Sequence, residues 1–159
     1  MKKTSHSDSK VYIGIDPGKS GAICVIEDDF IKAYPCPENI QDRALLFAMA
    51  ISVNETKTVV AYIEKVWAHP TDGKGSIWKF AENYGVWKGI AGAYEIDLQT
   101  VSPQKWIKYF ETPKMEKTKR KRYLRDKARS MYPDLKKVTL KTADAILIAT
   151  YGKETNNSS

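Results

Sequence analysis

The chain has 159 residues, 42% hydrophobic content and a formal net charge of +7, enough for one well-filled core and short for two. No apolar run reaches the roughly 18 residues that span a bilayer, and the polar opening MKKTSHSDSK lacks the apolar stretch of a secretory signal, so the expectation is a cytoplasmic domain with no membrane partner. Cys24, Cys36, His6 and His69 stand in no CxxC or Cys/His spacing, which argues against a zinc site or a disulfide framework.

In chain order, residues 1–9 are expected to be a frayed tail. The stretch VYIGIDPGKSG then imitates a phosphate-binding loop, because Gly-Lys-Ser follows an apolar strand. A Walker A loop needs four residues between its first glycine and the Gly-Lys pair so that backbone N–H groups curl around a phosphate; Gly14 and Gly18 enclose three. The following AICVIEDDFIKAYP is rich in β-branched and aromatic residues with an Asp-Asp turn, the pattern of a hairpin. No nucleotide cofactor is expected. Residues 11–16, 22–28 and 30–35 are predicted to form a three-strand meander.

The apolar spacing Ile40, Leu45, Leu46, Met49, Val53 predicts a helix over 38–53, and KTVVAYIEKVW a fourth strand. A loop, AHPTDGKGS, leads to a helix over 76–94, where Ile77, Phe80, Ala81, Tyr84, Trp87, Ala91 and Tyr94 recur at helical spacing and predict a buried face. EIDLQTV is a fifth strand. SPQKWIKYF is a short helix with Ser102 as N-cap and Pro103 at its first position. A basic helix follows, then an apolar one over 140–152, and residues 154–159 form a second frayed tail. The alternation predicts a single α/β domain over residues 10–153.

Between Lys114 and Arg129, nine basic residues stand against Glu116 and Asp126, so one segment carries the whole charge excess. Such a stripe suits a polyphosphate backbone, with Lys119, Lys121 and Arg122, and Lys105 and Lys108 of the preceding helix, as phosphate contacts. Three carboxylates lie inside apolar elements: Asp16 and Glu64 at strand ends, and Asp144 in the last helix. Unpaired buried carboxylates are costly. If the first and fourth strands are adjacent and the last helix crosses their ends, the three converge into a site for hard divalent cations.

The blocks YIGIDPGKSGAICVI, AYIEKVW and TADAILIA, in this order and at these separations, resemble the active-site blocks of the RuvC family of Holliday junction resolvases, in the ribonuclease H-like superfamily. The resemblance implies a five-stranded mixed sheet flanked by helices, a homodimer, dependence on Mg²⁺ with Mn²⁺ substituting, and paired nicks that resolve four-way DNA junctions. It implies two ions per site, roughly 3.5–4 Å apart, with Asp16 bridging them and Glu64 and Asp144 each holding one. It places Trp67 near the opened junction centre, where an indole either stacks on a base or is a partly buried core residue, and a functional lysine at Lys121. Gly85, Gly89 and Gly92 share a helix face open to a partner helix or to the chain's own sheet. Where bacterial RuvC carries a fourth carboxylate, one helical turn before the final aspartate, this chain has Lys141, whose ammonium either assists catalysis at the scissile phosphate or extends into solvent.

Competing readings are a YqgF-type ribonuclease H-like nuclease acting on branched DNA or RNA, and a non-catalytic junction-binding protein. The actin-like ATPases also follow a strand with Asp and Gly, but 159 residues leave no room for their two domains.

Overall fold

The computed structural model describes residues 10–52, 58–65, 67, 71 and 73–156. The elements are β1 (Lys10–Asp16), β2 (Ala22–Glu27), β3 (Phe30–Pro35), α1 (Ile40–Ser52), β4 (Thr58–Glu64), α2 (Lys74–Ala93), β5 (Asp97–Val101), α3 (Pro103–Tyr109), α4 (Lys117–Met131) and α5 (Ala143–Asn156). The expected tail of residues 1–9, Val53 at the expected end of the first helix, the histidines His6 and His69, and residues 157–159 lie outside the described residues.

The sheet runs β3-β2-β1-β4-β5. The meander is antiparallel, as the hairpin pattern predicts, whereas β4 lies parallel to both β1 and β5, the expected mixed sheet. β1 is central and buried on both faces, which is why its sequence is a nearly unbroken apolar run. Val11, Ile13 and Ile15 point to the core shared with α1 and α2. On the other face Tyr12 packs with Val60, Tyr62 and the helices α3, α4 and α5.

α5 lies very close to β1. A Cβ on Gly14 would collide with the Ala145 carbonyl and with Ala149, so a glycine is required by this approach. α5 is buried almost along its whole length and extends to Asn156, so Glu154 to Asn156, expected in the C-terminal tail, are helical. The apolar run sets the helix, but Gly152 does not end it: a Cβ there would strike the Tyr62 ring, so this glycine serves packing. Lys10 Nζ donates to Asn156 Oδ1 at 2.9 Å and ties the helix end to the start of β1.

The expected buried face of α2 is only half realised. Trp87, Ile90 and Ala91 are buried, whereas Phe80 and Tyr94 are 39% and 41% exposed and Ala81 is exposed. The C-terminal half of the helix covers the sheet, and the apolar residues of its N-terminal half are put to another use.

Candidate active site

In parallel neighbours the carboxyl ends lie at the same sheet edge. Ile15 pairs with Ile63, so Asp16 and Glu64 follow one step later on adjacent strands. Side chains alternate between faces along a strand, which puts Asp16 with Tyr12 and Gly14, and Glu64 with Val60 and Tyr62, on the face that α5 covers. Asp144 stands in the first turn of α5, where the helix dipole favours an anion. All three carboxylates line one cleft of about 830 Å³.

Two hydrogen bonds close the turn after β1. Gly18 N donates to Asp16 Oδ1 at 3.0 Å, and Gly21 N donates to the Gly18 carbonyl at 2.9 Å. The Gly-Lys-Ser triplet is thus a hairpin connection that orients Asp16, and Lys19 and Ser20 are exposed within it. Glu64 is held by α3: the Ser102 hydroxyl caps that helix by accepting from Lys105 N, and Trp106, 1% exposed, donates Nε1–H to Glu64 Oε2 at 2.8 Å.

Burial raises all three carboxyls, and the Asp16 charge adds to the shift of Glu64 and Asp144. Asp16 is held above its ordinary range by burial, against the pull of the Gly18 N–H and the Lys121 ammonium. Glu64 is pushed up to about 7, first by burial and then by the Asp16 charge, with Asp144 adding to it and Trp106 and Lys121 opposing. Asp144 is pushed up to about 6 by burial and by Asp16, against Lys121 and Arg120. Among the described residues Lys121 is the cation that acts on all three. Carboxyls raised by burial and by a neighbouring carboxylate's charge in a cleft are the pattern of a candidate functional site.

Among the described residues no three His, Cys, Asp or Glu side chains are close enough to hold one metal ion between them. The donor set nevertheless fits Mg²⁺, which binds through one or two carboxylates, water and substrate phosphate rather than in an all-protein cage.

The structure separates the expected DNA contacts. Lys121 lines the cleft together with Lys117, Arg120 and Leu124, four residues on one face of α4 by their spacing. Lys119 and Arg122 are exposed on other faces, and Lys105 and Lys108 are exposed on α3; none of these four lines the cleft. Trp67 lies beyond the end of β4, 61% exposed at the cleft, with Lys65 Nζ 4.2 Å from its ring centroid. This corrects the expected strand, which was to include it. Lys141 stands ahead of the start of α5 at Ala143, in a turn closed by the Ala143 N–H to the Thr139 carbonyl at 3.1 Å. Its backbone N–H donates to Thr139 Oγ1, and its side chain is exposed outside the cleft lining.

Sequence reasoning missed Lys117, Arg120, Lys65 and Trp106 as site residues, and misread Ile77 and Phe80, which line the cleft instead of filling a core, whereas Tyr84 both packs on the core and lines the cleft. A signal for the cations was present: Leu124 and Ala128 are the buried residues of α4, and the cations at one turn's spacing from Leu124 share the inward face.

No protein-family model and no curated protein matches the sequence. Solved structures do. A T. thermophilus RuvC structure in complex with Holliday junction substrate matches with TM-score 0.62 at 13% identity, covering 94% of this chain and 96% of that one. A second Thermus thermophilus RuvC structure matches with TM-score 0.58 at 15% identity, over 93% and 96% of the two chains. At these identities the likeness is one of architecture: the chain has the ribonuclease H-like fold seen in RuvC.

Proposed function

We propose that the chain is a cytoplasmic, structure-specific DNA endonuclease that resolves four-way junctions by paired symmetric nicks through metal-dependent phosphodiester hydrolysis. One observation carries this reading: three buried carboxylates with raised pKa values and three cations of α4 meet in one cleft at the carboxyl ends of β1 and β4. Support comes from the fold, shared with a RuvC whose structure holds a Holliday junction.

Asp16, Glu64 and Asp144 would hold Mg²⁺ or Mn²⁺, two ions per site. When bound, the ions supply Lewis acidity, lowering the pKa of water and neutralising charge on the leaving 3′-oxygen. Lys117, Arg120 and Lys121 bind the phosphates flanking the cut and offset the carboxylates' repulsion of the DNA. Trp106 fixes the Glu64 carboxylate, which limits the geometries open to it. Trp67, exposed at the cleft, offers its face to an unpaired base. The products would carry 5′-phosphate and 3′-hydroxyl ends.

Two symmetric nicks require two sites related by a two-fold axis. The α2 face bearing Gly85, Gly89 and Gly92 suits that contact: all three are exposed, and a Cβ at any of them would meet nothing within 4 Å. Trp78, one heptad before Gly85 and 75% exposed, extends the same face. The chain's own sheet does not cover it.

Labelled four-way, three-way and linear duplex DNA, incubated with protein and Mg²⁺, tests the proposal. Symmetric cuts confined to the four-way substrate are expected. Binding without cutting would favour a junction-binding protein, and cutting of the three-way or linear substrate a different ribonuclease H-like nuclease.

A further inference from the structure

A second concave site lies away from the carboxylates. It measures about 640 Å³ and is lined by Arg125 and Arg129 of α4 and by Lys136, Lys137 and Leu140 of the segment leading to α5. The site is built. Arg129 donates from Nε at 3.2 Å and from Nη2 at 2.9 Å to the Val138 carbonyl, which fastens that segment to the helix. Asp126 engages Arg125 at 2.8 Å and Arg129 at 3.8 Å, leaving the exposed Lys136 and Lys137 to set the sign of the site.

Lys117, Lys121, Arg125 and Arg129 recur every four residues and so form one stripe along α4. The stripe begins in the cleft and ends in this second site. From Lys121 to Arg129 the helix rises about 12 Å, and a DNA strand advances about 3.4 Å of helix axis per phosphate. The span therefore corresponds to roughly three or four nucleotides.

We propose that this site holds the DNA backbone about three or four nucleotides from the scissile phosphate, so that α4 fixes the arm leaving the cleft at two points. The partner is a phosphodiester backbone because the site is cationic and continuous with the stripe that enters the cleft. The inference rests on the cleft being a DNA-cleaving site.

A methylphosphonate scan tests it, neutralising one phosphate of a four-way junction at a time and measuring binding by the wild-type chain in EDTA. Binding should weaken about three- to tenfold at the distal position as well as beside the cut. In Arg125→Gln/Lys136→Gln/Lys137→Gln the distal effect should vanish while the effect beside the cut remains, and the salt dependence should flatten by about 0.9 log units for each phosphate no longer neutralised. A scan of the wild type with effects only beside the cut, or a distal effect that persists in the variant, overturns the proposal. A scan silent everywhere overturns the nuclease reading, and this inference with it.

Discussion

Trp106 Nε1 donates to Glu64 Oε2 at 2.8 Å, joining residues 42 apart in sequence. The bond stabilises the ionised carboxylate and pulls its pKa down from a value that burial and Asp16 have raised. In Trp106→Phe the donor is removed while most of the ring volume stays. Glu64 should then ionise at higher pH, moving the acidic limb of the cleavage pH profile upward and lowering turnover about tenfold at neutral pH. A pH profile with an unmoved acidic limb would reduce Trp106 to a packing residue.

Without divalent ions, the raised carboxyls make folding stability fall as pH rises. Below pH about 3 each carboxyl is largely neutral in the folded and unfolded chain alike. Between there and the folded values of about 6 for Asp144 and about 7 for Glu64, the unfolded chain has released protons that the folded chain keeps, so stability declines with pH. The site's contribution should lower the melting temperature by on the order of 5 °C between pH 5 and pH 8. Glu64→Gln should melt higher than wild type at pH 8 and much the same at pH 4.5. Parallel curves for the two proteins would remove Glu64 from the buried cluster.

Adding Mg²⁺ or Mn²⁺ to metal-stripped protein should recover that stability, because ligand binding to the folded state alone stabilises it by about 2.7 kcal/mol at a hundred times the dissociation constant. Asp16→Asn should lose most of this thermal shift and all cleavage while still binding junction DNA. Retained nicking in Asp16→Asn would end its assignment as a metal ligand.

The α2 glycines separate a subunit contact from an internal one. Since a Cβ at Gly89 meets nothing within 4 Å, Gly89→Ala should leave the isolated chain as stable as wild type or raise its stability by about 0.5–1 kcal/mol. Gly85→Leu/Gly89→Leu should shift the sedimenting species from dimer to monomer and uncouple the two nicks without unfolding the chain. A wild type that sediments as a monomer, free and on junction DNA, would remove the dimer.

Much of the fold was legible because β1, β2 and β4 are apolar on both faces and the turns carry Pro-Gly and Asp-Asp signals. Asp16, Glu64 and Asp144 stood out because each interrupts an apolar element. Trp106 did not, since an indole in a helix reads as core, and only the three-dimensional approach of α3 to the end of β4 turns its N–H toward Glu64. The apolar stripe of α2 was misleading for a related reason: helical spacing reports that residues share a face, and not whether a core or a cleft lies beyond it. Lys141 lies just ahead of α5, where Thr142 Oγ1 accepts from Thr139 N at 3.0 Å and Thr139 Oγ1 from Thr142 N at 3.3 Å, a reciprocal pair that caps the turn leading into the helix.

These positions sort the lysines by the work each can do. Lys121 faces the cleft and opposes the raised pKa of Asp16, Glu64 and Asp144 together, so Lys121→Ala removes both a phosphate contact and the cation that lets three carboxylates ionise side by side. Turnover should fall about a hundredfold, and the pH profile should move upward even at saturating DNA. Lys119→Ala and Arg122→Ala remove exposed charges outside the cleft, and should weaken binding about twofold at low salt with little change in turnover. Lys141→Ala should cleave within about twofold of wild type, and Lys141→Asp should leave the Mg²⁺ dependence unchanged, because a side chain exposed ahead of α5 is outside the set of groups lining the carboxylate cleft. A Lys141→Asp protein saturating at lower Mg²⁺ than wild type would show that this side chain reaches the metal after all.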